Sequence, residues 1–554
     1  MDGRTRRHRP LRNLGHRIAT SAALIGLLGT GTIALGMTPA AASATAGPVV
    51  ATQSGLIQAA APDASGVTAF EGIPYAAPPV GALRWKPPQP AQHWSGVLQT
   101  TAYGPSCWGA QLPGTPTVPM SENCLSLNVW MPPKTLGPPK AVMVWLEGGG
   151  FQFGTSAGPL YNGANLAAHG VVVVTLNYRL GVFGFLARPD LDAEQGSSGD
   201  YGLQDQIAAL RWVQADIAQF GGNPGNVTVF GQSAGADSVG LLMSSPQASG
   251  LFAKAIAESG AFWDGPHGSI PTHTQALARG QALSTTLNAP TLADLRAIPA
   301  AQLAAATAWT PGTDPIVTAF SPSVDGRVLR AAPAAAFAAG QQAHVPLLAG
   351  FNAAEDFPLF DPLALPHATP AQFDAAAQQL FGAAAMPRFQ ALYPAATEAQ
   401  ATASADLLAG DMTISEQTWQ LLGLQKQTGN PDVYAYKFTY TSPYSPVAAH
   451  VAEVPFVFGN LIPQFFAPTA PPPGPADAAL SATMSTYWTD FAKQGNPNSA
   501  GLPAWPVYAG PGSQVLDLDA APGPITEPDT ARLGFLASFR GPDGRFPASW
   551  LTNG

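Results

Sequence analysis

Two stretches of the chain place a serine between glycines at the spacing Gly-x-Ser-x-Gly. They are Gly154-Thr155-Ser156-Ala157-Gly158 and Gly231-Gln232-Ser233-Ala234-Gly235. With 58 glycines in 554 residues, the pattern alone carries little weight. A serine nucleophile stands on a tight turn between a strand and a helix, and only the second stretch has that context. Val227-Thr228-Val229-Phe230 reads as the strand, and the run from Ala236 to Met243 reads as the helix. Glycines flank such a serine because the turn brings neighbouring backbone too close for a Cβ. Ser156 has no strand just before it and Gly158-Pro159 behind it, so it is read as structural. A serine hydroxyl is a poor nucleophile near neutral pH. It needs a base, the base needs an orienting acid, and the oxyanion needs donors. The N–H of Ala234, the residue after Ser233, is one donor. Others are expected from Met143-Val144-Trp145-Leu146-Glu147-Gly148-Gly149-Gly150-Phe151, a strand running into glycines that can turn their N–H groups toward one point. Each such donor is worth about 2.7–4 kcal/mol in the transition state.

The elements that would carry this chemistry are β-branched runs alternating with helical stretches. Residues 141–146, 171–177, 227–230, 345–349 and 433–440 are nearly continuous apolar runs, as expected of strands covered on both faces. Between the second and third, Leu203, Ile207, Leu210, Val213, Ile217 and Phe220 step by three and four and mark one helix face. Gly221-Gly222-Asn223-Pro224 ends that helix. Strand, crossover helix, strand predicts a mostly parallel sheet. Residues 268–340 and 364–430, rich in Ala and Gln, read as inserted helices forming a cap. Residues 463–475 hold six prolines and read as a surface loop. With no charge-rich linker and no internal repeat, residues 45–554 are expected to form a single α/β catalytic domain.

Composition narrows the function. Hydrophobic residues make up 46% of the chain and charged residues 11%, which suits a sizeable core and not a disordered chain. The formal net charge of −9 argues against nucleic-acid binding. The first 44 residues read as a secretory signal: six arginines between Arg4 and Arg17, an apolar stretch from Ile18 to Met37, then small residues from Ala40. No later apolar run approaches the length of a membrane span, so a secreted protein is expected. An exported chain with two cysteines, Cys107 and Cys124, favours one disulfide. It would be worth about 3 kcal/mol on the chain-entropy model.

Several longer motifs, in order along residues 50–510, resemble the type-B carboxylesterase and cholinesterase family of α/β-hydrolases. Phe70-Glu71-Gly72-Ile73-Pro74-Tyr75-Ala76 with Pro78-Pro79-Val80-Gly81 is similar to its N-terminal signature. Ser121-Glu122-Asn123-Cys124-Leu125-Ser126-Leu127-Asn128-Val129 is similar to its second, and Phe230 to Gly235 to its serine signature. Tyr487-Trp488 and Phe491-Ala492-Lys493-Gln494-Gly495-Asn496-Pro497-Asn498 resemble its C-terminal helix and turn. The resemblance implies the α/β-hydrolase fold, a central mostly parallel twisted sheet flanked by helices, with inserted helical cap regions. It implies an oxyanion hole from Gly149, Gly150 and Ala234. It places the triad acid in Gly350-Phe351-Asn352-Ala353-Ala354-Glu355, with Glu355 preferred and Asp356 its neighbouring rival. It places the base in His450-Val451-Ala452-Glu453, before Phe456-Val457-Phe458-Gly459. The order Ser233, Glu355, His450 is also that of the fold. His93, His169, His267, His273, His344 and His367 lack this context. The resemblance further implies the Cys107–Cys124 disulfide, structural ion pairs Arg84–Glu122 and Arg179–Asp205, and Ser238 as a serine near the triad.

Three departures bear on the chemistry. Glu147 stands where His or Tyr is more usual before the glycines, and a carboxylate there opposes an oxyanion unless it points away and is paired. Gln232 replaces the acidic residue that cholinesterases place before the serine. Trp108 is the only aromatic residue of the short Cys107–Cys124 loop, and it sits beside Cys107 rather than deep in the loop. Choline esters, which such a tryptophan binds by a cation–π contact, are therefore not the expected substrate. The expectation is a secreted, monomeric serine carboxylesterase acting on small-molecule esters. No zinc-type cluster or dinucleotide fingerprint calls for a cofactor. The rival is a binding protein on the same fold that has lost its serine or histidine, and this chain keeps both.

Overall fold

The computed structural model describes residues 46–547, apart from 111–118, 134–136, 265–269, 309, 311–318, 356–368, 430–431, 468 and 542–543. Its centre is a ten-stranded sheet. In chain order the strands are β1 (Thr68–Pro74), β2 (Ser126–Met131), β3 (Lys140–Leu146), β4 (Val172–Leu176) and β5 (Gly222–Gln232). They continue as β6 (Lys254–Glu258), β7 (Leu347–Asn352), β8 (Val433–Phe438), β9 (Gln514–Leu518) and β10 (Gly523–Thr526). The order across the sheet is β10-β9-β8-β7-β6-β5-β3-β4-β2-β1. The strands from β4 to β9 along that order pair in parallel, and the two edges are antiparallel. A separate three-stranded sheet forms from Val49–Thr52, Gly55–Gln58 and Val97–Gln99.

The register explains why the central strands are apolar throughout. Trp145, Phe230, Ile256, Leu348 and Tyr434 lie side by side in one row across β3, β5, β6, β7 and β8. All five belong to one buried cluster, completed by Met484, Tyr487, Trp488, Phe456 and Phe458. Their alternates, such as Val144, Val229, Ala257, Leu347 and Val433, belong to the core on the other face. Both faces are covered, so neither alternate can be polar.

Helix α1 (Tyr201–Asp216) buries Leu203, Ile207, Leu210 and Val213, the predicted face. Its last turn tightens to a 3-10 turn over Ile217–Phe220 and stops at Gly221, whose φ of 78° is left-handed. Helix α2 (Ala234–Ser244) follows β5, and α3 (Pro475–Gln494) packs Leu480, Met484, Trp488 and Phe491 onto the tyrosine-bearing face of the sheet.

The first inserted region holds the helices His273–Thr286, Leu292–Ala297, Ala300–Ala306 and Pro333–Ala338. The second holds Pro370–Phe381, Met386–Leu392, Glu398–Gly410 and Glu416–Leu424, with a π turn at Asp411–Ser415. Phe373, Phe381 and Phe389 of this second region form a cluster of their own with Phe535 and Phe546 from the C-terminal segment. That segment, with its helix Thr530–Ala537, was not anticipated from the sequence.

Cys107 and Cys124 are joined in a disulfide, with a Cα–Cα distance of 5.0 Å. The Arg84 guanidinium meets both oxygens of Glu122 at 2.6 Å, and buried Arg179 meets Asp205 at 2.7 and 2.8 Å. Such bidentate pairs fix loops to α1 and to the disulfide loop. No described helix is long and apolar enough to cross a membrane.

Candidate active site

Ser233 stands between the end of β5 and the start of α2, at φ 57° and ψ −130°. A serine at positive φ costs on the order of 1–3 kcal/mol and persists only where its surroundings fix it. Here the Ser233 N–H donates to the Glu258 carbonyl at 2.9 Å, and its own carbonyl accepts from the Asp237 N–H at 2.9 Å. The glycines have a steric reason. A Cβ at Gly235 would lie 2.0 Å from the Leu146 carbonyl oxygen, and one at Gly231 would lie 2.6 Å from the Gly235 carbonyl. Neither is possible without moving α2 off β3. Ser156 is fixed otherwise: its N–H donates to Asn177 at 2.8 Å and its hydroxyl accepts from Asn128 at 3.2 Å.

The loop after β3 passes directly beside this turn. A Cβ on Gly148 would sit 3.1 Å from the Ser233 Cβ. Gly149 and Gly150 have φ of 109° and 58°, open to glycine. Among the described residues neither N–H binds a backbone carbonyl. The Ala234 N–H, first in α2, has no carbonyl within the helix to bind. Their carbonyl sides are held instead. Gly149 O accepts from Gln152 N–H at 2.9 Å, and Gly150 O accepts from the Gln152 side chain at 3.2 Å. Three N–H groups near Ser233 are thus left without a backbone acceptor among the described residues.

Glu147, one residue earlier, departs from both alternatives posed by the sequence, a charged group or a paired one. It is buried, and its Oε2 has no hydrogen-bond partner among the described residues. Burial without a counter-cation pushes its pKa well above the carboxylate range, which favours the protonated, neutral form. A neutral carboxyl beside the loop does not oppose developing negative charge.

Glu355 and His450 are brought together: Glu355 Oε2 lies 2.6 Å from His450 Nδ1. The other carboxyl oxygen, Oε1, accepts from the Ser259 hydroxyl at 2.7 Å and from the Asn352 N–H at 2.5 Å. Asp356, the rival acid, lies outside the described residues. Two backbone features present the imidazole. The Ala354 N–H donates to Ala448 O at 2.9 Å, tying the two loops. Val451 is held at φ 77°, a costly conformation for a β-branched residue. Burial disfavours the imidazolium, but the charge of Glu355 and its hydrogen bond outweigh that. Glu453 and Asp237 add to the effect, so the pKa of His450 rises above its ordinary value.

The remaining ring nitrogen, Nε2, lies 3.1 Å from the side-chain nitrogen of Gln232, the residue before Ser233. An amide nitrogen only donates, so Nε2 is the acceptor and the ring proton is on Nδ1, toward Glu355. That is the tautomer a general base needs. The Ser233 hydroxyl makes no hydrogen bond with a described residue. Gln232 thus meets the ring nitrogen of His450 that points away from Glu355.

Two supporting residues escaped sequence reading. Ser259 follows β6, a strand not identified in the sequence because Lys254 and Glu258 bracket only Ala255-Ile256-Ala257. Its hydroxyl, and not that of Ser238, touches the acid. Ser238 instead donates to the Ala234 carbonyl at 2.8 Å and steadies the first turn of α2. Asp237 accepts from the N–H groups of Ala261 and Trp263 at 2.7 and 3.2 Å, and burial pushes its pKa up to about 7. Of the other histidines, His273 pairs with Asp192 at 2.8 Å, and His267 and His367 lie outside the described residues. No cluster of three or more metal-ligating side chains occurs among the described residues.

The family model described as Carboxylesterase family matches residues 46–535. The chain is 37% identical over 471 residues to fumonisin B1 esterase of Sphingopyxis macrogoltabida, covering 82% of this chain and 84% of that one. It is 36% identical over 497 residues to para-nitrobenzyl esterase of Bacillus subtilis (strain 168), covering 85% and 95%. Among solved structures, a PNB esterase superposes with a TM-score of 0.73 at 35% identity, over 88% of this chain and 99% of the other.

Proposed function

Because the chain belongs to the carboxylesterase family and is a carboxylic ester hydrolase, we propose that Ser233, His450 and Glu355 carry out the hydrolysis and that the enzyme is exported. The observation that supports the triad is the 2.6 Å contact of Glu355 with His450, whose far nitrogen faces the residue next to Ser233. Ser233 attacks the ester carbonyl while His450 Nε2 takes its proton. The N–H groups of Gly149, Gly150 and Ala234 receive the oxyanion. His450 then protonates the leaving alcohol, and the acyl group stays on Ser233. In the second half a water gives its proton to His450, attacks the acyl carbonyl and releases the acid. Glu355 holds the ring in the Nδ1–H tautomer and offsets its charge in each half. No step calls for a metal or an organic cofactor.

Export rests on the arginine-rich and then apolar residues 1–44, and a disulfide suits an oxidising compartment. The chain is read as a monomer acting on small esters other than choline esters. The test is Ser233→Ala, assayed on a p-nitrophenyl acyl ester. The variant is expected to fold and lose about 10⁴-fold or more in kcat. A folded variant that cleaves at the parent rate would rule the mechanism out.

A further inference from the structure

Beneath the triad lies a second pair of acids that the mechanism does not use. Glu258 ends β6 beside Gln232 of β5 and Gly350 of β7. Asn352, two residues past Gly350, shares its face of the sheet. Glu453 comes from the segment after His450, and its Oε2 accepts from Asn352 Nδ2 at 2.5 Å. Glu453 thus touches Asn352, Glu258 lies close enough to Glu453 for their charges to interact, and both carboxyls are wholly buried. Glu258 Oε1 accepts from the Trp488 indole N–H at 2.7 Å. The second oxygen of each, Glu258 Oε2 and Glu453 Oε1, has no hydrogen-bond partner, and neither acid has a Lys or Arg partner among the described residues. Two ionised carboxylates cannot share such a site, since like charges out of water with no cation raise the cost of the second charge steeply.

We propose that Glu258 and Glu453 hold one proton between them, on Glu258, and that the charge left on Glu453 makes the pair a positioning device for Glu355 and His450, acting through Asn352. Asn352 is the link. Its N–H holds Glu355 Oε1, and its side-chain amide holds both Glu453 Oε2 and, at 2.8 Å, the Ala449 carbonyl beside His450. A negative Glu453 anchors that amide and stabilises the imidazolium formed in turnover. The proton falls on Glu258 because only an indole N–H meets it, whereas Glu453 meets an amide and lies near His450. Burial raises both pKa values, that of Glu258 well above the carboxylate range and that of Glu453 to about 7, so the one-proton state with its charge on Glu453 is the state above about pH 7. The groups facing the pair are Glu355 and His450 above it, Tyr436 from β8, and Tyr161, whose hydroxyl lies near Glu147, Glu258 and Glu453.

The proposal rests on the triad reading, and its test separates the two. The profile of kcat/KM against pH is measured for the parent, Glu453→Gln and Glu258→Gln. Glu453→Gln removes a negative charge near His450, so the acid limb should move to lower pH by about half a unit or more. Glu258→Gln replaces a neutral acid and should leave the limb in place. Equal movement in both variants, or movement in neither, overturns the proposal. Infrared spectra in D2O near neutral pH supply a readout that needs no turnover. The parent's protonated-carboxyl absorption, to which Glu147 and Asp237 also contribute, should lose one component in Glu258→Gln, and a parent-minus-variant difference spectrum without that component overturns the proposal even if Glu453→Gln does not fold. An active Ser233→Ala would sink the triad instead and leave the infrared result standing.

Discussion

Glu147→Gln should make the protein more stable, by an amount that grows with pH. Glu147 is buried one residue before the oxyanion glycines, and burial holds its pKa well above the ordinary range. In the unfolded chain the same carboxyl ionises near about 4.3. The fold therefore keeps a proton that the unfolded chain gives up. The stability tied to that proton is fully present below the unfolded pKa and is lost as pH rises toward the folded one. The slope is at most about 1.4 kcal/mol per pH unit for one proton. Glutamine has the same shape and no proton to give up, so the variant does not follow this loss. Between pH 5 and 7 it should gain up to about 3 kcal/mol on the parent. Glu258, Glu453 and Asp237 also have raised pKa values, but they are common to both chains and cancel in the difference. The assay is the urea midpoint, followed by tryptophan fluorescence, for both proteins at a series of pH values. A stability difference that stays flat across that window would mean Glu147 is ionised in the fold. The account of a harmless, neutral neighbour to the oxyanion loop would then fail.

Ser259→Ala deletes one of two donors to Glu355 Oε1 and leaves the Asn352 N–H. A hydrogen bond to a charged group is worth about 1.5–3 kcal/mol, so kcat/KM should fall about tenfold or more with KM little changed. A parent-like rate would show that the Asn352 N–H alone holds the acid. The acid limb of kcat/KM against pH should lie above the ordinary imidazole value, because the pKa of His450 is raised and only its neutral form accepts the serine proton. Activity is therefore lost as pH falls through that raised value, and a limb below about 6.5 would contradict the placement of Glu355 against the ring.

The proposed nucleophile was legible because its requirements are local. Gly231 and Gly235 answer to backbone contacts within a few residues and with one neighbouring strand, and a β-branched run before the turn gives the strand away. The proposed acid and base were legible only through motif resemblance, since nothing in spacing brings Glu355 to His450 across 95 positions. Ser259 was hidden for a different reason. Its strand β6 is five residues long, carries Lys254 and Glu258 at its ends, and looks polar until β5 and β7 are seen to enclose it. Ser238 was placed near the triad by resemblance, and it lies in the first turns of α2 after Ser233, where its hydroxyl donates to the Ala234 carbonyl. Gln232 was noted as a departure, but its approach to the His450 ring depends on where a loop more than two hundred positions later comes to rest.

The sheet register ties the apolar core to the polar site. One row, Trp145, Phe230, Ile256, Leu348 and Tyr434, is apolar across five strands. Two residues further along, on the same face, Gln232 pairs with Glu258, Glu258 with Gly350 and Gly350 with Tyr436. Leu146 pairs with Gly231, so Glu147 falls beside Gln232 at the end of that row. Period two along parallel strands thus converts one hydrophobic row into one polar row within about 7 Å. Such a row is tolerable under full burial only if its acids stay neutral, as burial favours for Glu147 and Glu258, while Glu453 beside it meets the amide of Asn352. The central gap in the row is Gly350, where a Cβ would lie 2.4 Å from the Tyr436 ring. That glycine gives the Tyr436 ring its place above β7, beside the buried acids and beneath the loop that carries Glu355.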